Sequence, residues 1–348
     1  MLANLIKQDE ALRKLYSGTW PPAQPPEFIS VLEDARHAAA DVNVDVAVCG
    51  GTLGIILACS LQLRGHRVAV IEAGPLRGRA QDWNTSEDEL LQLVHAGVLD
   101  ASELRTVAPL QFGPMSCRFG PSPDFELKLQ GVLDVGVSPE ALLRCVRERF
   151  EAAGGIVLEN TPVKSVAIHP DGASLVLAST SAVSGGAAVP STLHTRLVID
   201  CMGHRSPIAL QQRGGQKPDG VCVQVGSCAR GDWASQWRSS GDFFVTASDA
   251  IRAGPNGNAR CQYFLQAFPS SGGSDERSSY LFTYLRPGEE MPSLLEVMED
   301  YWSALPRYQR ISEGEAGEGP PGTADALSGV EVERVLFGWF PTYKRHSP

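Results

Sequence analysis

Apolar positions along this chain fall into short runs whose period switches between two and about four, and the switches mark the elements. Residues 44–49 (Val44-Asp45-Val46-Ala47-Val48-Cys49) are short, apolar and β-rich, which predicts a buried strand. From Leu53 the spacing becomes helical through Ile55, Ile56, Leu57, Ala58, Cys59 and Leu61, and Gly65 stops it. Residues 68–71 give a second buried strand ending at Glu72. Ser138 followed by Pro139 predicts a capped helix over 139–150, with Gly154-Gly155 as its end. Residues 156–159 then read as a strand, 163–168 and 175–178 as a hairpin around Pro170-Asp171-Gly172, and 197–200 as another buried strand. Alternation at 221–226, 243–247, 261–267 and 280–285 predicts a separate antiparallel sheet. An amphipathic helix over 294–305 and an apolar run over 332–340 follow. At the start, Leu2, Leu5, Ile6, Leu12, Leu15 and Tyr16 share a rough helical face, expected to dock on the body as a peripheral helix.

The strand–turn–helix at Cys49-Gly50-Gly51-Thr52-Leu53-Gly54, with Glu72 closing the next strand about twenty residues on, is the pattern that holds a dinucleotide pyrophosphate. A side chain at Gly51 would block the approach of phosphates to the backbone, and one at Gly54 would push the helix off the strand. The exposed N–H groups of the helix start attract the anion, and Glu72 is placed to accept from a ribose hydroxyl. Cys49 stands where the fingerprint's first glycine usually sits, so the turn must differ slightly here. Residues 46–63 are uncharged, but Gly50-Gly51-Thr52 in their middle argues against a membrane span. A Rossmann-like unit without a dinucleotide is the competing structural reading.

Composition narrows the function classes. A net charge of −10 without any cluster of Lys and Arg excludes a general nucleic-acid binder. The eight cysteines include no C-x-x-C and sit mostly in apolar runs, as thiols of a reducing compartment do. Neither cysteines nor histidines show metal-ligand spacing, so no metal is expected. Asp9 and Glu10 make the first residues a poor organelle presequence, and no secretory signal is present. Pro21-Pro22-Ala23-Gln24-Pro25-Pro26 reads as an extended linker. The stretches 180–192 and 312–328 are low-complexity loops.

The order of these elements resembles the glutathione-reductase-like FAD fold: an α/β, Rossmann-type (ββα/βαβ) FAD-binding domain with an antiparallel β-sheet substrate domain. Within it the chain looks like the branch of lycopene cyclases, geranylgeranyl reductases and aromatic hydroxylases. Segments 49–55, Gln81-Asp82-Trp83-Asn84, 84–91, Gly136-Val137-Ser138-Pro139, Lys217-Pro218-Asp219-Gly220-Val221-Cys222 and Phe340-Pro341-Thr342-Tyr343 resemble the CruA/CruP-type lycopene cyclase paralogues, the CruP branch most closely. The likeness runs from about residue 28 to the end. It implies this division: 1–40 an N-terminal extension and Pro-rich linker, and 41–80 with 130–212 an FAD/NAD(P)-binding domain. Residues 81–129 are then an inserted segment, 213–310 the substrate sheet and helix, 311–329 a loop, and 330–348 the start of a C-terminal FAD-domain segment cut short.

The resemblance also implies roles. Gly51 and Gly54 would face the FAD pyrophosphate and Glu72 the adenosine ribose. Arg79 would approach the adenosine half, and Asp200 with Gly203 would form the second turn against FAD. NADPH is the reductant implied, a plastid the compartment, and the partner an apolar small molecule met at a membrane surface without a transmembrane helix. Oligomeric state is not legible. Plant cyclases carry adjacent glutamates where Thr283 and Tyr284 stand, so the acid that would start a carbocation is missing there. Asp134, Asp249 and Glu126 are the spare acids. Tyr263, Phe264, Phe268, Phe282, Tyr284, Trp302, Trp339 and Phe340 are the apolar material for a long cavity, or for plain core. Members of this fold continue into a Gly-Asp segment, absent before Pro348, which implies that the chain as given binds FAD weakly or not at all. The leading expectation is an FAD-dependent protein acting on a large apolar isoprenoid, a carotenoid. A flavin monooxygenase, disfavoured by Met202 at an expected aspartate, and a non-catalytic flavin- or lipid-binding regulator are the alternatives.

Overall fold

Two seven-stranded sheets organise the chain. The computed structural model describes residues 2–33, 40–78, 80–120, 122–178, 191–231, 239–246, 261–288, 291–309 and 329–344. The centre of the first sheet is four parallel strands in the order Thr192–Asp200, Val42–Cys49, Val68–Ile71 and Ile156–Leu158. Val42–Cys49 is buried on both faces, as a central parallel strand must be. Val46 and Val48 pack under the helices Gly54–Gln62 and Pro139–Ala152, while Val44, Ala47 and Cys49 fill the opposite face. The predicted hairpin is present as Val163–His169 and Gly172–Leu177, antiparallel, beside Thr192–Asp200. Ser138 caps its helix as expected, its hydroxyl accepting from the Ala141 N–H, with Pro139 in the first turn.

The second sheet runs Val330–Thr342, Gly220–Gly231, Gly273–Leu285, Phe264–Ser270, Ser240–Val245, Gly113–Phe119 and Ser122–Leu129. It is antiparallel except where Ser240–Val245 meets Gly113–Phe119. One face buries Val221, Val223, Val225, Tyr263, Leu265 and Leu281 against the helix Leu294–Gln309 and the N-terminal helix Leu2–Tyr16. The N-terminal helix does dock on the body: Leu5, Leu12, Leu15 and Tyr16 are buried, and Asp9 accepts from the Leu294 N–H at the start of the neighbouring helix. A small sheet of Trp83–Thr85, Val135–Val137 and Leu110–Gln111 stands between the two large ones.

Three boundaries differ from the sequence reading. Ile29–Val31 pairs in parallel with Val163–His169, so part of the presumed linker belongs to the first sheet. The presumed insertion divides: Leu90, Val98, Leu99 and Val107 join the core beneath Val46 and Ile55, and Gly113–Phe119 enters the second sheet. Residues 330–342 are not the start of an FAD-domain segment. They pair along the whole of Gly220–Gly231 as the edge of the second sheet. A buried parallel strand is apolar on both faces. Here Val335, Phe337 and Trp339 face the core, while Arg334, Leu336, Gly338 and Phe340 alternate with them.

Candidate functional site

The glycine turn joins the central strand to its helix at the edge of Thr192–Asp200. Its positive φ falls on Gly50 (φ +99°), not on Cys49, so a cysteine fits where the fingerprint has glycine. Cys49 remains in the strand and is fully buried, which pushes its thiol up to about 12 and leaves it inert at neutral pH. Gly54 sits against Val48 and Cys201, where a Cβ would lie 2.8 Å from Val48 Cγ1. Thr52 and Leu53 are exposed, and the helix starts at Gly54 without a side-chain cap. Glu72 is held at the turn: its Oε2 accepts from the Gly51 N–H (2.7 Å) and its Oε1 from the Gly74 N–H (3.1 Å). A Cβ at Gly51 would lie 2.7 Å from Leu76 Cδ1 and 3.3 Å from Glu72 Oε2. Turn, helix start and carboxylate are thus brought together, and the carboxylate keeps two further lone pairs.

Asp200 ends the neighbouring strand and shapes the next turn. It accepts from the Met202 N–H (2.9 Å) and from the Ser206 hydroxyl, which in turn caps the helix Pro207–Gln212. Both of its oxygens are engaged in holding the loop. Gly203 has φ +75° with nothing within 4 Å of a Cβ, so backbone conformation alone selects it. Arg79 and Asp249 lie outside the described residues.

A cavity of about 770 Å³ opens where this turn meets the second sheet. His204 and Arg205 line it from the turn, Asp82 to Asn84 from the small sheet, and Gln224, Gln266, Tyr280 and Phe340 from the face opposite the helix. Among the described residues, none of those expected at the cofactor lines it, whereas Phe268, Trp339 and Phe340 of the expected cavity aromatics do. Asp82 is its buried carboxylate, accepting from the Ser271 N–H (2.7 Å) and hydroxyl (2.8 Å). It lies inside a segment noted for resemblance, but nothing in the sequence marks it as more than a surface acid. The signal for Gln224 and Gln266 was present: they are polar positions within alternating apolar strands.

Thr283 is fully buried on the helix side, and Tyr284 points to the other face. Tyr263 also packs on the helix side, and Trp302 stacks edge-on against Tyr301 of its own helix. Phe264, Phe282, Tyr284 and Phe340 share the open face, where Phe282 lies 5.3 Å from Phe264 and 6.0 Å from Tyr284 between ring centroids. Glu126 and Asp134 do not line the large cavity; Asp134 accepts from the Gly131 N–H in the loop.

His204 packs between Trp339 and Phe340 (5.5 and 5.8 Å), and burial, helped by Arg205, holds its pKa below 6.5. The folded state therefore takes up this proton less readily than the unfolded chain. The stability tied to the neutral ring is present above pH 6.5 and is lost as pH falls through the window below it. His204→Gln is expected to flatten the fall of the urea midpoint between about pH 7 and 5; an unchanged slope would remove this assignment.

Among the described residues no group of His, Cys, Asp and Glu could hold a metal, and no helix is long and apolar enough to cross a membrane. No protein-family model matches the sequence, and no curated protein matches it. Solved structures do. The fold is similar to p-nitrophenol 4-monooxygenase PnpA from Pseudomonas putida DLL-E4 (TM-score 0.56, 17% identity, covering 86% of this chain and 68% of that one). It is similar to the myxobacterial chondrochloren halogenase CndH, a variant of FAD-dependent halogenases (0.54, 16%, 85% and 63%). A geranylgeranyl bacteriochlorophyll reductase-like protein from Thermoplasma acidophilum is a third (0.53, 15%, 86% and 66%). The chain spans about two thirds of their lengths. The fold is the Rossmann-type flavoprotein fold, with an antiparallel sheet beside the nucleotide-binding domain.

Proposed function

We propose that this chain binds FAD at the Gly50–Gly54 turn and uses it on a large apolar isoprenoid, of carotenoid type, laid along the open face of the second sheet. One observation carries the reading: the large cavity runs from His204 and Arg205 of the second turn to Phe268, Tyr280 and Phe340 on that face. The turn fits the group. Glu72, held to the turn by the Gly51 N–H, stands there with acceptor capacity to spare, and the exposed, uncapped helix start at Thr52 and Leu53 suits a pyrophosphate. Bound FAD would supply two-electron transfer, with NADPH as reductant, or a region of negative charge facing a developing cation. The chain's own contribution is to bed the substrate on Phe268 and Phe340 in the cavity, with Phe282 and Phe264 beyond them on the same face, and to present Asp82 as the cavity's carboxylate. The likeness to PnpA supports monooxygenation as the second reading. A plastid location rests on the sequence resemblance alone.

Titration with FAD, followed by flavin fluorescence, tests the cofactor. Gly51→Val places a branched side chain on Leu76 and Glu72 and fills the phosphate approach. Loss of two or three backbone and charge-assisted contacts at about 1–3 kcal/mol each weakens binding by about thirtyfold or more. Equal affinity in both proteins, or none in the unsubstituted one, would defeat the reading. Extraction of pigments from lycopene-accumulating cells then separates cyclised from oxygenated product.

A further inference from the structure

A second cavity, about 640 Å³, lies at one end of the second sheet, and its cations follow from strand register. Thr342 pairs with Gly220, and Val221 with Leu285, so three adjacent strands finish side by side. Each carries a cation just past that end: Lys344 after Thr342, Lys217 before Gly220, and Arg286 after Leu285, all three on the cavity wall. Asp219 is the carboxylate among the described lining residues. It is occupied in tying the loops, its carboxylate accepting from the Lys344 N–H (2.8 Å) and its N–H donating to the Thr342 carbonyl (2.9 Å). Lys217 reaches the Pro21 carbonyl, leaving two of its three donors. Glu289 and Glu290 lie outside the described residues. In a chain of net charge −10, three cations converging on one concavity form a local field of opposite sign.

The cavity is continuous in character with the open face. Tyr284 lines it, and in register Tyr284 opposes Cys222, which opposes Phe340 of the larger cavity. Two strand spacings, about 10 Å, thus separate the basic end from the cavity at the Asp200–Arg205 turn. From Tyr284 the row of Phe282 and Phe264 continues along the same face. An anion at the basic end would have an apolar path leading away from it toward the large cavity.

We infer that this basic cavity is a binding site for the phosphorylated end of an isoprenoid-type amphiphile, whose apolar chain follows the aromatic row. The inference rests on the proposed role of the row as an isoprenoid bed and departs from the carotenoid part of that reading in the end group, because a pure hydrocarbon leaves the cations without a counter-charge. Three cations suit a phosphate or diphosphate better than a single carboxylate, since each phosphate oxygen takes its own charge-assisted donor.

Farnesyl diphosphate, farnesol and inorganic pyrophosphate, each titrated calorimetrically into the whole protein, test it. Vesicles of phosphatidylcholine with and without phosphatidic acid form the second arm. Farnesyl diphosphate is expected to bind more tightly than farnesol or pyrophosphate. Arg286→Gln and Lys344→Gln should each weaken it about tenfold or more, leave farnesol unchanged, and reduce its salt dependence. Selective loss of phosphatidic acid binding in the same variants, with farnesyl diphosphate not bound, would give the same site a lipid headgroup as its source. Equal binding of all anions by the unsubstituted protein and the double variant, with unchanged thermal melts, would overturn the site. FAD titration of the same samples separates the two proposals: intact flavin affinity without headgroup selectivity defeats this one alone.

Discussion

Gly50→Ala is expected to destabilise the protein by about 3 kcal/mol or more, while Gly203→Ala loses about 1–2 kcal/mol. Both glycines have positive φ, +99° and +75°, so both substitutions meet the same left-handed penalty. They differ in what a Cβ would touch. At Gly203 there is nothing within 4 Å, whereas at Gly50 the Cβ runs into the Cys201 carbonyl oxygen and lies 2.6 Å from its carbon. That carbonyl belongs to the backbone leaving the neighbouring parallel strand, and the Cys201 N–H donates to the Cys49 carbonyl (2.7 Å). Relief requires prising apart Val42–Cys49 and Thr192–Asp200 at the point where both proposed cofactor turns begin. Urea midpoints for the two variants isolate the clash from the φ penalty. Equal shifts would show that the two turns are not in contact as described.

The contrast also shows what the sequence made legible. The turn, its helix, the Glu72 strand, the capped helix at Ser138 and the hairpin all depend on local signals: period, cap and glycine. Each of these is present where expected. Which glycine would carry the positive φ was not legible, because adjacent Gly50 and Gly51 both satisfy the pattern and only the approach of Cys201 decides between them. Non-local pairings were also obscured. Ile29–Val31 is three residues of strand behind a proline-rich stretch, and its partner lies more than 130 residues away. The run at 330–342 has the composition of a buried strand, and only its pairing partner tells which sheet it joins. The large cavity was least visible, because its walls come from the turn at His204, the small sheet at Asp82 and four strands of the second sheet. The aromatic residues were legible as a group. Their division into Phe264, Phe282 and Phe340 on one face and Tyr263 on the other follows from strand parity once the register is known.

Asp242→Ala is expected to be among the most damaging single substitutions away from the glycine turns, at about 3–5 kcal/mol. Asp242 is fully buried and accepts from Arg118 through Nε (3.1 Å) and Nη2 (2.8 Å). A second guanidinium, Arg277, is buried beside them with its Nη atoms on the Ser240 carbonyl (3.4 Å). Burial pulls Arg277 down to about 10, while Tyr308 and Asp242 act to hold it up. One carboxylate therefore compensates two buried cations, and its loss leaves both in low dielectric. Structural consequences should centre on the helix Leu294–Gln309, because Tyr308 stacks on Phe244 and donates its hydroxyl to the Asp242 carbonyl. Arg118 lies over both rings, 5.6 Å from Phe244 and 5.8 Å from Tyr308. Asp242→Asn keeps the shape and removes the charge, so it should fall between alanine and the unsubstituted protein. The double substitution Arg118→Met with Asp242→Leu removes one cation together with the carboxylate, and should recover part of the loss. Urea denaturation of these proteins, with Arg118→Met and Asp242→Leu as the single substitutions of the cycle, gives the coupling directly. A loss below about 1 kcal/mol for Asp242→Ala, or strictly additive effects in the double substitution, would mean that water reaches this cluster and that the helix is held by its apolar contacts alone.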